Sequence, residues 1–103
     1  MEINKSNFQS EVLESKVPVV ADFYANWCGP CRRMPPILSE VETKMGDQVK
    51  IVKINVDSEP ELSEEYSISS IPTLLYFKNG NVVQFRSGIS SVDEIIGQLR
   101  ALV

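Results

Sequence analysis

Val17-Pro18-Val19-Val20-Ala21-Asp22-Phe23-Tyr24-Ala25-Asn26-Trp27-Cys28-Gly29-Pro30-Cys31-Arg32-Arg33-Met34 sets an apolar run, two cysteines and the start of a helix in direct succession. Val17 to Tyr24 is rich in β-branched and aromatic residues, as suits a strand covered on both faces in a parallel sheet. Pro18 has no amide to donate and belongs at the beginning of that strand or at an unpaired position. Beyond Cys31, Met34, Ile37, Leu38, Val41 and Met45 recur at core spacing and predict a helix to about Met45. Gly46 can end it in left-handed backbone. Pro36 lies inside this stretch, lacks an amide and predicts a kink.

Working outward, Val49–Val56 reads as a second buried strand. Asp57 or Ser58 is placed to cap the next helix, with Pro60 early in it and Leu62 and Tyr66 on its inner face. Thr73–Lys78 and Val82–Ser87 read as strands joined by Asn79-Gly80, a strong signal for a two-residue hairpin turn. Ser91 and Glu94 have capping-box spacing and open a last helix with Val92, Ile95, Ile96 and Leu99 on its buried stripe. On the amino-terminal side, Ser6 and Gln9 have the same spacing and predict a helix from about Asn7 to Ser15, preceded by a weak strand near Glu2–Asn4. Strands alternating with helices require a mostly parallel sheet with right-handed crossovers, and the terminal hairpin makes it mixed. The expectation is one α/β domain over residues 1–103, with about five strands flanked by about four helices.

The 103 residues are 43% hydrophobic and 23% charged, ordinary for a globular chain that needs neither a metal nor disulfide staples to fold. The net charge of −4 argues against nucleic acid, since phosphate binding needs a basic face. Glu59, Glu61, Glu64 and Glu65 read as a solvated helix face. Neither a secretory pattern nor an apolar run of membrane-spanning length is visible, so the expected setting is the reducing cytosol, with no membrane partner. There, paired cysteines are more often catalytic or metal-binding than structural. With no histidine in the chain, Ser-His-Asp and Cys-His nucleophile arrangements cannot be built.

Cys28 and Cys31 bracket two residues at a strand-to-helix junction, so their sulfurs can bond and part with little backbone movement. The first lies where unpaired amides and the helix dipole favour a thiolate. The second, one turn in and less exposed, is placed to attack a mixed disulfide formed by the first. Gly29 admits a partner's backbone, Pro30 limits the loop's freedom, and Arg32 and Arg33 add positive charge. A zinc half-site would need its remaining ligands from a second chain. A purely structural disulfide would add little, because stabilisation grows with the loop closed. Asp22 is a carboxylate inside an apolar strand: either it sits at an edge in water, or it is buried with a raised pKa.

Trp27-Cys28-Gly29-Pro30-Cys31 resembles the signature of the thioredoxin family. The resemblance runs along the chain through Asp22, Pro36, Ile71-Pro72-Thr73, Asn79-Gly80 and Gly88. It implies the thioredoxin fold and a reversible Cys28–Cys31 disulfide that reduces protein disulfides, with no bound cofactor and no metal. Electrons would come from NADPH, or ferredoxin in some organisms, through a thioredoxin reductase. The Gly-Pro dipeptide is the pair found in the family's reductants, whereas oxidases and isomerases of the superfamily usually carry histidine there. The resemblance further implies that Asp22 accepts a proton during attack by Cys31 and that Lys53 lies near this carboxylate. It implies a cis Ile71–Pro72 bond opposite the cysteines, leaving the Ile71 backbone free to pair with an extended client. Trp27, Gly29, Pro30, Ile71, Pro72, Gly88 and Ile89 would form an apolar patch around one exposed sulfur. Two alternatives remain at this level: Lys53 as a solvated strand lysine, and Trp27 as simple core packing. Tyr24 stands where many relatives have tryptophan, Pro35 where a small residue is usual, and Ser69-Ser70 where glycine is common. These departures bear on client preference and redox tuning. A monomer is expected. A non-catalytic binding subunit and an oxidant or isomerase are the competing functions.

Overall fold

A computed structural model describes all residues 1–103. The strands β1 (Val19–Tyr24), β2 (Lys50–Asn55), β3 (Thr73–Lys78) and β4 (Asn81–Ser87) form one sheet in the order β2-β1-β3-β4. β1 runs parallel to β2, with Val20 opposite Ile51 and Asp22 opposite Lys53. It runs antiparallel to β3, with Asp22 opposite Leu74. The mixed sheet is therefore as expected, but it has four strands, not five. The anticipated first strand is reduced to a single parallel bridge between Glu2 and Lys53. The cause is Asn4, whose Oδ1 accepts from the amides of Ser6 and Asn7 and from the Ser6 hydroxyl. Such a local side-chain turn competes with the ladder and bends the chain out of the sheet.

The same turn overrides the Ser6–Gln9 capping box. Asn4 supplies the acceptor, and the helix expected over Asn7–Ser15 becomes a π-helical turn, Gln9–Leu13. The long helix after the cysteines is also divided differently. Pro30–Arg33 is a 3-10 turn, and α1 (Met34–Met45) follows it. Pro35 and Pro36 thus fall in the first turn of α1, where missing amides cost little, and the change of helical pitch precedes them. Before α2 (Pro60–Glu65), neither Asp57 nor Ser58 acts as the cap. Asn55 Oδ1 accepts from both of their amides instead. α3 (Val92–Arg100) carries the expected capping box, with Ser91 and Glu94 exchanging bonds of 3.0 and 3.1 Å.

Both sheet faces are covered. α1 and α3 pack Met34, Leu38, Val41, Ile95 and Leu99 against Val20, Leu74 and Tyr76 on one face. The π turn and α2 cover Phe23, Ile54, Leu75 and Phe77 on the other. There Phe8, Tyr66 and Phe77 form a triangle of ring centroids 5.5–6.1 Å apart, separations at which edge-to-face contacts add to burial. Because β1 is buried on both faces, its alternating residues divide between two cores. Val20, Asp22 and Tyr24 face α1, and Val19, Ala21 and Phe23 face α2.

The hairpin turn places Asn79 and Gly80 at φ 53° and 81°, with the Gly80 Cα hydrogens against Leu13. A Cβ at Gly80 would meet Leu13 O at 2.9 Å. Gly80→Ala is therefore expected to destabilise the protein by about 1–3 kcal/mol in urea unfolding. Gly97, exposed within α3 and with open space around it, is the control: Gly97→Ala should stabilise by about 0.5–1 kcal/mol.

Candidate active site

β1 delivers the chain from the buried sheet to its rim, and the cysteines occupy the turn between that rim and α1. Cys28 and Cys31 are joined by a disulfide, with Cα atoms 5.3 Å apart. The Cys31 amide donates to Cys28 Sγ at 3.2 Å, so an unpaired donor of the helical turn is aimed at the first sulfur. In this oxidised form both cysteines are buried, Cys28 at 5% exposure and Cys31 at 4%. The expected contrast between an exposed and a shielded sulfur is therefore absent: both cysteines pack with Ala25, Tyr24, Val56 and Ile71.

The Ile71–Pro72 peptide bond is cis. Ile71 O lies 3.9 Å from Cys28 Sγ, and the Gly88 amide donates to Pro72 O at 2.8 Å. Three segments distant in sequence thus meet beside the disulfide. Gly29, Pro30 and Ile89 are exposed around it, Ile71 is half-buried and Pro72 is buried. Trp27 is no core residue: it is 69% exposed, and its Nε1 donates to Asp57 Oδ2 at 2.8 Å. That bond spans thirty residues and has no local sequence signal. Arg32 turns back to donate to Asn26 O, while Arg33 is exposed.

Asp22 occupies a strand with neighbours on both edges and is fully buried, which rules out the edge position. Neither carboxylate oxygen has a hydrogen-bond partner. Burial raises its pKa from the ordinary 3.8 to about 6, against the opposing pull of Lys53 and with a further push from Glu2. Lys53 is not simply solvated. It is half-buried opposite Asp22, and its ammonium lies 4.5 Å from the centroid of the Tyr24 ring. A pocket of about 150 Å³ is lined among others by Cys31, Tyr24, Pro35 and Lys53. The structure therefore gathers Cys28, Cys31, Ile71, Pro72 and Gly88 into one group, pairs Asp22 with Lys53 across β1 and β2, and brings Lys53 to the pocket that Cys31 also lines.

Sequence reasoning missed Glu2, Tyr24 and Asp57 as parts of this region. Asp57 reads as a helix cap, and Glu2 belongs to a segment with little pattern.

Comparison with known proteins resolves what this turn belongs to. The family model described as Thioredoxin matches residues 1–101. The chain belongs to the thioredoxin family. Among its relatives, the thioredoxin of Rickettsia prowazekii is 42% identical over 94 residues, covering 91% of this chain and 90% of that protein. Thioredoxin 1 of Synechococcus elongatus is 48% identical over 81 residues, covering 79% and 76%. A thioredoxin-like protein of Synechocystis is 41% identical over 98 residues, covering 95% and 93%. With Cys28 and Cys31 in place, this thioredoxin-family chain is a thiol–disulfide oxidoreductase. No helix is long and apolar enough to cross a membrane.

Asp22 makes stability depend on pH in a definite direction. The folded protein holds this proton more tightly than the unfolded chain, so stability is undiminished below the unfolded pKa and falls as pH rises towards about 6. In the oxidised protein, the stability of Asp22→Asn relative to the parent should grow by about 2 kcal/mol between about pH 4 and pH 8. Parallel denaturant titrations measure that difference.

Proposed function

We propose that Cys28 is the attacking thiolate and Cys31 the resolving thiol of a protein-disulfide reductase. The observation that carries this assignment is the Cys31 amide donated to Cys28 Sγ. A donor fixed on that sulfur favours its anion once the disulfide is open, and the mouth of the helical turn adds to the effect. Cys31 gains no such donor and is the thiol whose proton must be removed later.

The cycle balances as two thiol–disulfide exchanges. Cys28 S⁻ attacks one sulfur of a client disulfide, forming a mixed disulfide and expelling the other client sulfur as thiolate. Cys31 then loses its proton towards Asp22, through the pocket it shares with Lys53, and attacks Cys28 Sγ. The client's second thiolate leaves and takes up a proton, and Cys28–Cys31 is oxidised by two electrons. A pKa raised to about 6 suits Asp22 to accept and return a proton near neutrality. Lys53 offsets the negative charge while the proton is in transit.

The client is an extended segment lying beside Ile71, with Trp27, Gly29, Pro30, Pro72, Gly88 and Ile89 around it. Added-strand pairing would use the Ile71 backbone, which lies next to Cys28 Sγ. A thioredoxin reductase, drawing on NADPH or ferredoxin, returns two electrons to the pair, so no cofactor need be bound. The protein works as a monomeric electron carrier over residues 1–103, in the cytoplasm, where the glutathione pool keeps thiols reduced.

Reduction of insulin disulfides driven by dithiothreitol tests the reading. Cys28→Ser should bring the rate down to that of dithiothreitol alone. With dithiothreitol left out, pre-reduced Cys31→Ser should instead accumulate a client joined covalently to Cys28, visible by mass spectrometry and released when reductant is added. Activity surviving Cys28→Ser would overturn the assignment.

A further inference from the structure

Lys53 is held from two directions by the segment Met1–Ile3. Its amide donates to Met1 O at 2.9 Å, and its carbonyl accepts from the Ile3 amide at 2.8 Å. Glu2, opposite Lys53 in this bridge, sends its side chain to Tyr24, whose hydroxyl donates to Glu2 Oε1. The Tyr24 ring in turn lies under the Lys53 ammonium. Backbone bridge, phenol–carboxylate bond and cation–π contact thus close a ring of three residues.

The ring is placed with a purpose in view of its neighbours. Tyr24 lies two residues beyond Asp22 on the same face of β1, and Lys53 is the register partner of Asp22 on β2. Tyr24 and Lys53 also line the pocket on which Cys31 opens. A lysine ammonium on four flexible carbons would otherwise swing into water. The electron-rich face of an aromatic ring holds it, and a carboxylate bonded to the phenol hydroxyl fixes the ring and increases its electron density. The same bond, after burial, helps push the Tyr24 pKa up to about 12, so the hydroxyl remains a donor throughout the neutral range.

We propose that Glu2 and Tyr24 are positioning residues, which hold the Lys53 ammonium between Asp22 and the pocket of Cys31 and so set the proton transfer of the resolving step. This rests on Asp22 as the proton acceptor. The charged and titratable groups facing Asp22 are Lys53 from β2, Glu2 from the amino-terminal segment and Tyr24 from its own strand. From β3 its register partner is Leu74. The tether needs a ring that carries a donor, which Tyr24 supplies through its hydroxyl.

A double-mutant cycle read by ¹³C NMR titration of the Asp22 carboxyl carbon tests the proposal on the full oxidised chain. Tyr24→Leu removes the platform and should move the Asp22 midpoint up by about 0.5–1 pH unit, since an opposite charge at close range lowers a carboxyl pKa. Lys53→Met should move it up at least as far. In a Lys53→Met background, Tyr24→Leu should add nothing, because the charge it positioned is gone. Equal shifts from Tyr24→Leu with and without Lys53 would mean that the ring acts on packing alone, and would overturn the proposal. Tyr24→Phe keeps the ring and the Glu2 charge but cuts the tether, and should give a smaller rise. A midpoint equal to the parent's would remove Glu2 from the device. The pH at half-maximal client release should follow the Asp22 midpoint across the series. If it stays constant while the midpoints move, the positioning has no part in the resolving step. Failure of the parent to reduce insulin would count against the proposed function, and the titration cycle would remain readable.

Discussion

The continuity of β1 with the helical turn after it is the constraint on which the site depends. A strand buried on both faces and paired on both edges has no freedom to shift, and its last residues hand the chain to a turn whose position is thereby fixed. Cys28 and Cys31 occupy that turn, so the rigidity of the sheet becomes the precision of the dithiol. The residues around it come from other elements: Ile71 and Pro72 just before β3, Gly88 just after β4, and Lys53 within β2. Ile71 reaches Cys28 Sγ through its carbonyl, Gly88 bonds Pro72, and Lys53 lines a pocket with Cys31, each because its strand is in register with β1 or with the neighbour of β1.

The same rigidity has an electrostatic consequence. Once the pattern of β1 puts Val20 into the core under α1, Asp22 must follow it inward, since residues two apart share a face. Its carboxylate is left without a hydrogen bond, beside a single ammonium. An ordinary core would place a valine there and be more stable at neutral pH. The same burial lifts its pKa to about 6, so the carboxyl titrates close to neutrality at a cost in stability.

Local rules read well where no competitor stood nearby. Ser91 and Glu94 form their capping box because nothing upstream offers a better acceptor, and Asn79-Gly80 makes its turn because only that turn matches the twist of the two strands. The rules failed at Ser6 and at Asp57, and for one reason: an asparagine upstream, Asn4 or Asn55, took the amides first. Two plausible caps within a few residues cannot be ranked from pattern alone, because the winner is decided by where the rest of the chain needs the segment to go. Pro36 illustrates a related limit. Its effect on a helix depends on whether it stands in the first turn or beyond it, and the helix start was set three residues later than the cysteine motif suggests.

The sequence by itself determined the mixed α/β fold, the strand-to-helix position of the cysteine pair and, through resemblance, the thioredoxin family and its chemistry. These follow from signals carried within short stretches, namely periodicity, the Cys-Gly-Pro-Cys spacing and turn dipeptides. Only the tertiary structure decided that Asp22 is fully buried and unpartnered, that Trp27 stands in solvent bonded to Asp57, and that Glu2, Tyr24 and Lys53 close a ring beside Asp22. Each of these depends on strand order, register or a bond between distant segments. A side chain's charge, partner and proton affinity are properties of the neighbours that folding brings to it.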